Sequence, residues 1–173
     1  MYYRIKIANL FNTMLLVMML TTVGCSTSTK EQTETTSSNP INDVVKLKNL
    51  DGSAIDLSQY EDKAIFVNFW ATWCAPCIQE MPSLERMQAA FTDEPIVFFY
   101  ASNEPANKIK KFAGKKPWDF NYVQLDMELS DLSIYALPTT IIFKNGEIAW
   151  TETGSKDWDS EKSIREIKAF INQ

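Results

Sequence analysis

The sequence predicts an α/β fold, a mixed central sheet flanked by helices, with a small N-terminal β-hairpin extension. Three observations carry this. A continuous apolar run at residues 64–70 is followed by apolar residues at every third or fourth position: Ile78, Met81, Leu84, Met87 and Phe91. A second apolar run, 95–101, leads into another helical stretch. Asn145-Gly146 then joins two strand-like runs, 139–144 and 147–153, ahead of a closing amphipathic segment. A β-α-β half followed by a β-β-α half builds one mixed sheet with helices on both faces.

Each element has a local reason. Residues 44–50 and 54–57 flank Asp51-Gly52, a turn dipeptide, and predict the hairpin. The run 64–70 has a single polar break, Asn68, as expected of a central strand covered on both faces. The stripe from Ile78 to Phe91 predicts a helix with one apolar face. Pro82 inside it lacks the N–H that would reach the Ile78 carbonyl, so a kink is expected there. Residues 95–101 form a second buried strand, and 104–112 a helix with Pro105 in its first turn, where a missing N–H costs little. A short strand is expected at 120–125 and a short helix at 127–135. Asn145-Gly146 is the strongest hairpin signal in the chain. A final helix from about Ser160 buries Ile164, Ile167, Phe170 and Ile171.

Composition narrows the chemistry. The chain has 173 residues, enough for one domain of ordinary size, and 45% of them are hydrophobic. Lys plus Arg at 17 against Asp plus Glu at 22 gives 17 − 22 = −5, which argues against a nucleic-acid partner. There is no histidine, which removes Ser-His and Cys-His catalytic pairs, histidine metal ligands and a haem histidine. Three cysteines, Cys25, Cys74 and Cys77, are too few for a disulfide scaffold or a four-thiolate zinc site. No metal and no cofactor is therefore expected, and the chemistry falls to thiols, carboxylates or hydroxyls.

Residues 1–24 carry Arg4 and Lys6, no acid, and a broken apolar stretch at 7–20, which is the pattern of a secretory signal peptide. The uninterrupted part, 14–20, is far shorter than the roughly 20 apolar residues of a spanning helix. Thr22-Val23-Gly24-Cys25 resembles a bacterial lipobox, with Thr22 where that motif usually has leucine. The resemblance implies diacylation of Cys25 and a mature chain beginning there. Residues 26–40 are almost all polar and cannot bury enough surface to repay ordering, so 25–40 is expected to be a lipidated tether. The domain then spans 41–173.

Trp73-Cys74-Ala75-Pro76-Cys77 falls between the first buried strand and the amphipathic helix. A cysteine at a helix N-terminus faces unpaired N–H groups and the positive end of the dipole, which favour its thiolate. That makes Cys74 the attacking nucleophile. Cys77, about one turn deeper, can close a disulfide with it. The same spacing occurs in zinc sites, in haem attachment and in passive bridges, but zinc lacks further ligands here and Ile78 stands where haem attachment needs histidine. A passive bridge stays open on spacing alone. So does a solvated, inert Glu80, although three residues after Cys77 it shares that helix face and can exchange a proton with the resolving thiol.

The stretch from Val67 through Asn68, Trp73 and Cys77 resembles the active-site segment of thioredoxin-like proteins. With Asn68 and with Glu80-Met81-Pro82 following, it is most similar to the TlpA-type thiol-disulfide reductases of the bacterial cell envelope. Thioredoxin itself has an aspartate at the position of Asn68. Leu137-Pro138-Thr139-Thr140 and the Phe143 to Glu147 hairpin match that family's cis-proline loop and the strands after it. The resemblance covers residues 44–173 and implies a thioredoxin-like fold. It further implies a redox-active Cys74–Cys77 disulfide, a proton-carrying Glu80, and a client-binding edge at Leu137 and Pro138. Trp73 either lines that substrate face or caps the core.

The expected function is that of a membrane-tethered extracytoplasmic oxidoreductase that reduces protein disulfides, with apocytochrome c among the clients the family implies. It would be lipid-anchored to a membrane of the bacterial cell envelope and face the periplasm. Its partners would be disulfide-containing client proteins and a membrane thiol electron donor, because an oxidising envelope does not regenerate a dithiol. Two alternatives stand beside it: a disulfide oxidase or isomerase, and a non-catalytic thioredoxin-like lipoprotein.

Overall fold

The computed structural model describes residues 40–172. The expected signal peptide at 1–24, Cys25 and all but the last residue of the expected tether lie outside the described residues.

One six-stranded sheet organises the chain, in the order β1-β4-β3-β2-β5-β6. Helix α1 (Pro40–Val44) precedes β1 (Leu47–Lys48), which pairs antiparallel with β4 (Tyr122–Leu125). Strand β2 (Ala64–Phe69) leads through helix α2 (Ala75–Ala89) to β3 (Ile96–Ser102), its parallel neighbour. Helix α3 (Ala106–Ala113) carries the chain from β3 to β4, again parallel. The hairpin β5 (Thr139–Lys144) and β6 (Glu147–Thr153) adds to the other side of β2 antiparallel, and helix α4 (Glu161–Ile171) closes the chain.

Strand alternation divides the core in two. Ala64 and Phe66 face a cluster built with Met81, Leu84 and Met87 of α2, Ile109 of α3 and Ile167 and Ile171 of α4. Ile65, Val67 and Phe69 face the other side, toward Ile41, Val45, Leu57, Leu132 and Ile134. Full burial of a Leu or Met side chain stabilises by roughly 1.5–3 kcal/mol, and Met81, Leu84 and Met87 are each 0% exposed. That packing fixes α2 to the sheet and with it the placement of its first residue against the end of β2. Asn145 and Gly146 both have positive φ, 53° and 81°, as a two-residue turn matched to strand twist requires.

Several elements differ from expectation in extent. The N-terminal hairpin forms but is short: Asn49 N–H donates to the Ser53 carbonyl, Ile55 N–H to that of Leu47, and Lys48 bridges Ala54. Residue 44 ends a helix instead of starting a strand, and 57–60 is a 3-10 turn whose Asp56 side chain accepts from Ser58 N–H. Helix α2 continues through Pro82 as one element. The helix expected at 104–112 begins at Ala106, because Glu104 turns inward and Pro105 occupies the cap position. The expected helix at 127–135 is a single 3-10 turn, Leu129–Leu132, stopped at Ser133 with φ 57°.

Candidate active site

Cys74 is the N-cap of α2, with extended backbone (φ −83°, ψ 98°), and its Sγ accepts from the Cys77 backbone N–H at 3.3 Å. The sulfur thus stands where the first turn leaves its amides unpaired. Pro76 lies within that turn, where no N–H is needed. Cys74 and Cys77 form a disulfide with their Cα atoms 5.3 Å apart. Cys74 is 5% exposed and Cys77 1%, so of the two only the first approaches the surface. Trp73 beside it is 73% exposed, so it does not cap the core.

Glu80, one turn further along α2, is 3% exposed. Its Oε1 accepts from Asn68 Nδ2 at 3.0 Å, and its Oε2 accepts from Trp158 Nε1 at 2.8 Å and from the Lys156 backbone N–H at 3.2 Å. Burial pushes its pKa above the ordinary carboxyl value, and the Trp158, Asn68 and Lys156 donors pull against that shift. Asn68 also donates to Thr140 Oγ1 at 2.9 Å, which joins β2, α2 and β5 through one amide. A carboxyl held out of water in this way keeps its proton to higher pH than an exposed one, which suits it to proton exchange. It is no rim acid.

Leu137-Pro138 is cis. Pro138 is buried and Leu137 half-buried, touching both core clusters. The Pro138 carbonyl accepts from Gly154 N–H at 2.8 Å, so the loop that begins at Gly154 is tied to the proline at one end and, through Lys156 and Trp158, to Glu80 at the other.

Three participants escaped the sequence reading. Trp158 is 1% exposed and supplies an N–H to Glu80. Glu104, 7% exposed, accepts from the Thr72 backbone N–H at 2.6 Å and from Thr72 Oγ1 at 2.9 Å, which pins the loop that presents Trp73 and Cys74. Tyr135, near the cis proline, is 85% exposed. Local sequence holds no signal for the first two, because each partner lies 32 or more positions away. The exposed tyrosine could have been noticed from its place three residues before Pro138.

A family model described as Redoxin matches residues 36–168. The chain belongs to the Redoxin family. It is 32% identical over 164 residues to a thiol-disulfide oxidoreductase, ResA, of Geobacillus kaustophilus, covering 90% of this chain and 94% of that one. It is also 32% identical over 130 residues to the ResA of Halalkalibacterium halodurans, covering 72% of each. Among solved structures, the exposed lipoprotein thioredoxin Etrx1 of Streptococcus pneumoniae shares the fold, with a TM-score of 0.58, 22% identity, and coverage of 70% of this chain and 97% of that one. This Redoxin-family chain is a thiol-disulfide oxidoreductase of the thioredoxin-like, TlpA-type group that its sequence resembles.

Proposed function

We propose that the chain reduces disulfides of client proteins outside the cytoplasm, held to a membrane by acyl chains on Cys25 after residues 1–24 are removed. The observation that carries the reductive chemistry is the Cys77 N–H aimed at Cys74 Sγ on a helix N-cap. In the reduced protein the same amide and dipole favour a Cys74 thiolate. That thiolate attacks one client sulfur, forming a mixed disulfide and expelling the other as a thiolate. Cys77, having passed its proton to Glu80, attacks Cys74 Sγ, closes the Cys74–Cys77 bond and releases the second client thiol. The client disulfide gains two electrons, and the enzyme dithiol loses two. A membrane dithiol donor of the envelope then restores the reduced state.

Leu137 supports client capture. Its amide and carbonyl pair with nothing else among the described residues and flank the cis bond, leaving them free to bond an extended client segment. Exposed Trp73 on the nucleophile loop offers an apolar surface beside it. The TlpA-type resemblance adds apocytochrome c cysteines as clients. No helix among the described residues is long and apolar enough to cross a membrane, and attachment is assigned to Cys25.

The test is dithiothreitol-driven reduction of insulin by the full chain. Turnover that disappears in Cys74→Ser is expected. Turnover undiminished by that change, or none in the unmodified chain, sinks the assignment. An equilibrium potential against glutathione decides direction: a strongly oxidising value makes the protein an oxidase.

A further inference from the structure

Basic residues are few in this acidic chain, and they are unevenly placed. Of 17 lysines and arginines, five fall within residues 108–116: Lys108, Lys110, Lys111, Lys115 and Lys116. Lys116 lies over the Phe112 and Trp118 rings at 5.4 and 5.1 Å, and Lys110 faces Asp51. Lys108 reaches Glu104 only at 3.8 Å, and that carboxylate is already engaged by Thr72. Lys111 and Lys115 make no ion pair among the described residues.

Such an arrangement is unfavourable by itself. Lys108 is in the first turn of α3, where the helix dipole repels a cation, and Lys108 and Lys111 are like charges one turn apart. Together with Thr72 and Phe112, Lys108, Lys111 and Lys115 line a cavity of about 220 Å³. Its floor is rigid, since the Phe112 ring packs 4.7 Å from that of buried Trp70. Its wall is the nucleophile's own loop, because Thr72 stands two residues before Cys74.

We propose that this lysine-lined cavity docks an acidic segment of the disulfide-bearing protein substrate, with a carboxylate side chain between Lys111 and Lys115 and its apolar stem on Phe112. A concavity the size of one side chain, walled by the loop that carries Cys74, suits a peptide chain that continues toward that residue, whereas an anionic bilayer needs a flat or convex basic face. Opposite charge across such a contact raises the encounter rate and selects among clients more than it deepens affinity. The proposal specifies the client class for the exchange activity and rests on that reading.

The experiment compares the reduced full-length protein, in detergent, with its Lys111→Glu/Lys115→Glu form. The substrates are cystine peptides of equal length whose disulfide is flanked by aspartates, by glutamines or by lysines. The unmodified protein is expected to reduce the aspartate peptide about tenfold faster than the lysine peptide at low salt. The difference should vanish near 1 M salt, where the Debye length is about 3 Å. It should invert in the double variant, with both proteins equal on the glutamine peptide. Equal rates for the aspartate and lysine peptides, or a preference that survives the two substitutions, overturns the proposal alone. Failure of both proteins on the glutamine peptide overturns the exchange reading and this proposal with it. Equal peptide rates accompanied by protection of Lys111 and Lys115 from acetylation by phosphatidylglycerol vesicles assign the face to a membrane and overturn it equally.

Discussion

The indole Nε1–H of Trp158 donates to Oε2 of Glu80 at 2.8 Å, a contact between residues 78 positions apart in sequence. Because Oε2 also accepts from Lys156 N–H, the loop after β6 grips one carboxylate oxygen while Asn68 on β2 holds the other. This grip, and not burial alone, sets the proton affinity of Glu80.

Trp158→Phe keeps most of the ring packing against Phe66 and Trp150 but deletes the donor. The ionised form of Glu80 loses support, so its pKa climbs further above the ordinary value. The acid-side inflection of the pH–rate profile should move to higher pH, and the lost charge-assisted hydrogen bond should cost about 1.5–3 kcal/mol by urea titration at neutral pH. An unmoved inflection would show that the indole only fills space.

Glu80→Gln tests the same group by linkage. With a folded pKa above the ordinary 4.5, folded protein holds the proton to higher pH than unfolded chain does. The stability contributed by protonated Glu80 is therefore complete below 4.5 and is lost as pH rises through the folded value. The glutamine form lacks that loss, so its stability relative to the unmodified protein should improve with rising pH. A constant difference across the range contradicts the raised pKa. Resolution of the mixed disulfide should slow by about 10²-fold or more, the usual contribution of a positioned proton acceptor.

Glu104→Ala strips Thr72 of the acceptor for its backbone N–H and its hydroxyl. Leaving a fully buried donor unpaired costs about 1–3 kcal/mol, and the half-buried Thr72 should fall at the low end of that range. Attack by Cys74 should also slow, since the loop presenting it loses its tether to the start of α3. Both effects are readable, by chemical denaturation and by stopped-flow alkylation of the reduced protein.

The two cysteines should separate cleanly by trapping. Cys77→Ala leaves the nucleophile and removes the resolver, so mixed disulfides through Cys74 accumulate on client protein and are visible on non-reducing gels. Cys74→Ser should accumulate none. Equal trapping by the two variants would contradict the difference in burial between the sulfurs.

The frame was legible because its signals are local. The apolar run of β2, the three-to-four spacing of α2 and the Asn145-Gly146 turn each act within a few residues, and all three elements form near their expected limits. Where expectation erred, side-chain hydrogen bonds had redirected the backbone. The carboxyl of Glu104 turned toward Thr72 delays α3, and Asp56 capping Ser58 ends the second hairpin limb in a 3-10 turn. At the candidate site, Cys74 and Cys77 were singled out by motif and spacing, Glu80 and Pro138 by the family resemblance. Trp158 and Glu104 were not, because what they do exists only after strands distant in sequence pair side by side.

The 1% exposure of Cys77 has a consequence for fidelity. During a reaction cycle two sulfurs compete to break the bond between enzyme and client: the chain's own buried one and any stray small thiol in the surroundings. The former is nearly sealed from solvent, so dissolved oxidants and alkylating agents reach it poorly. In the reductive cycle proposed above, release then proceeds from inside, and the electrons pass to the client instead of leaking to bystanders.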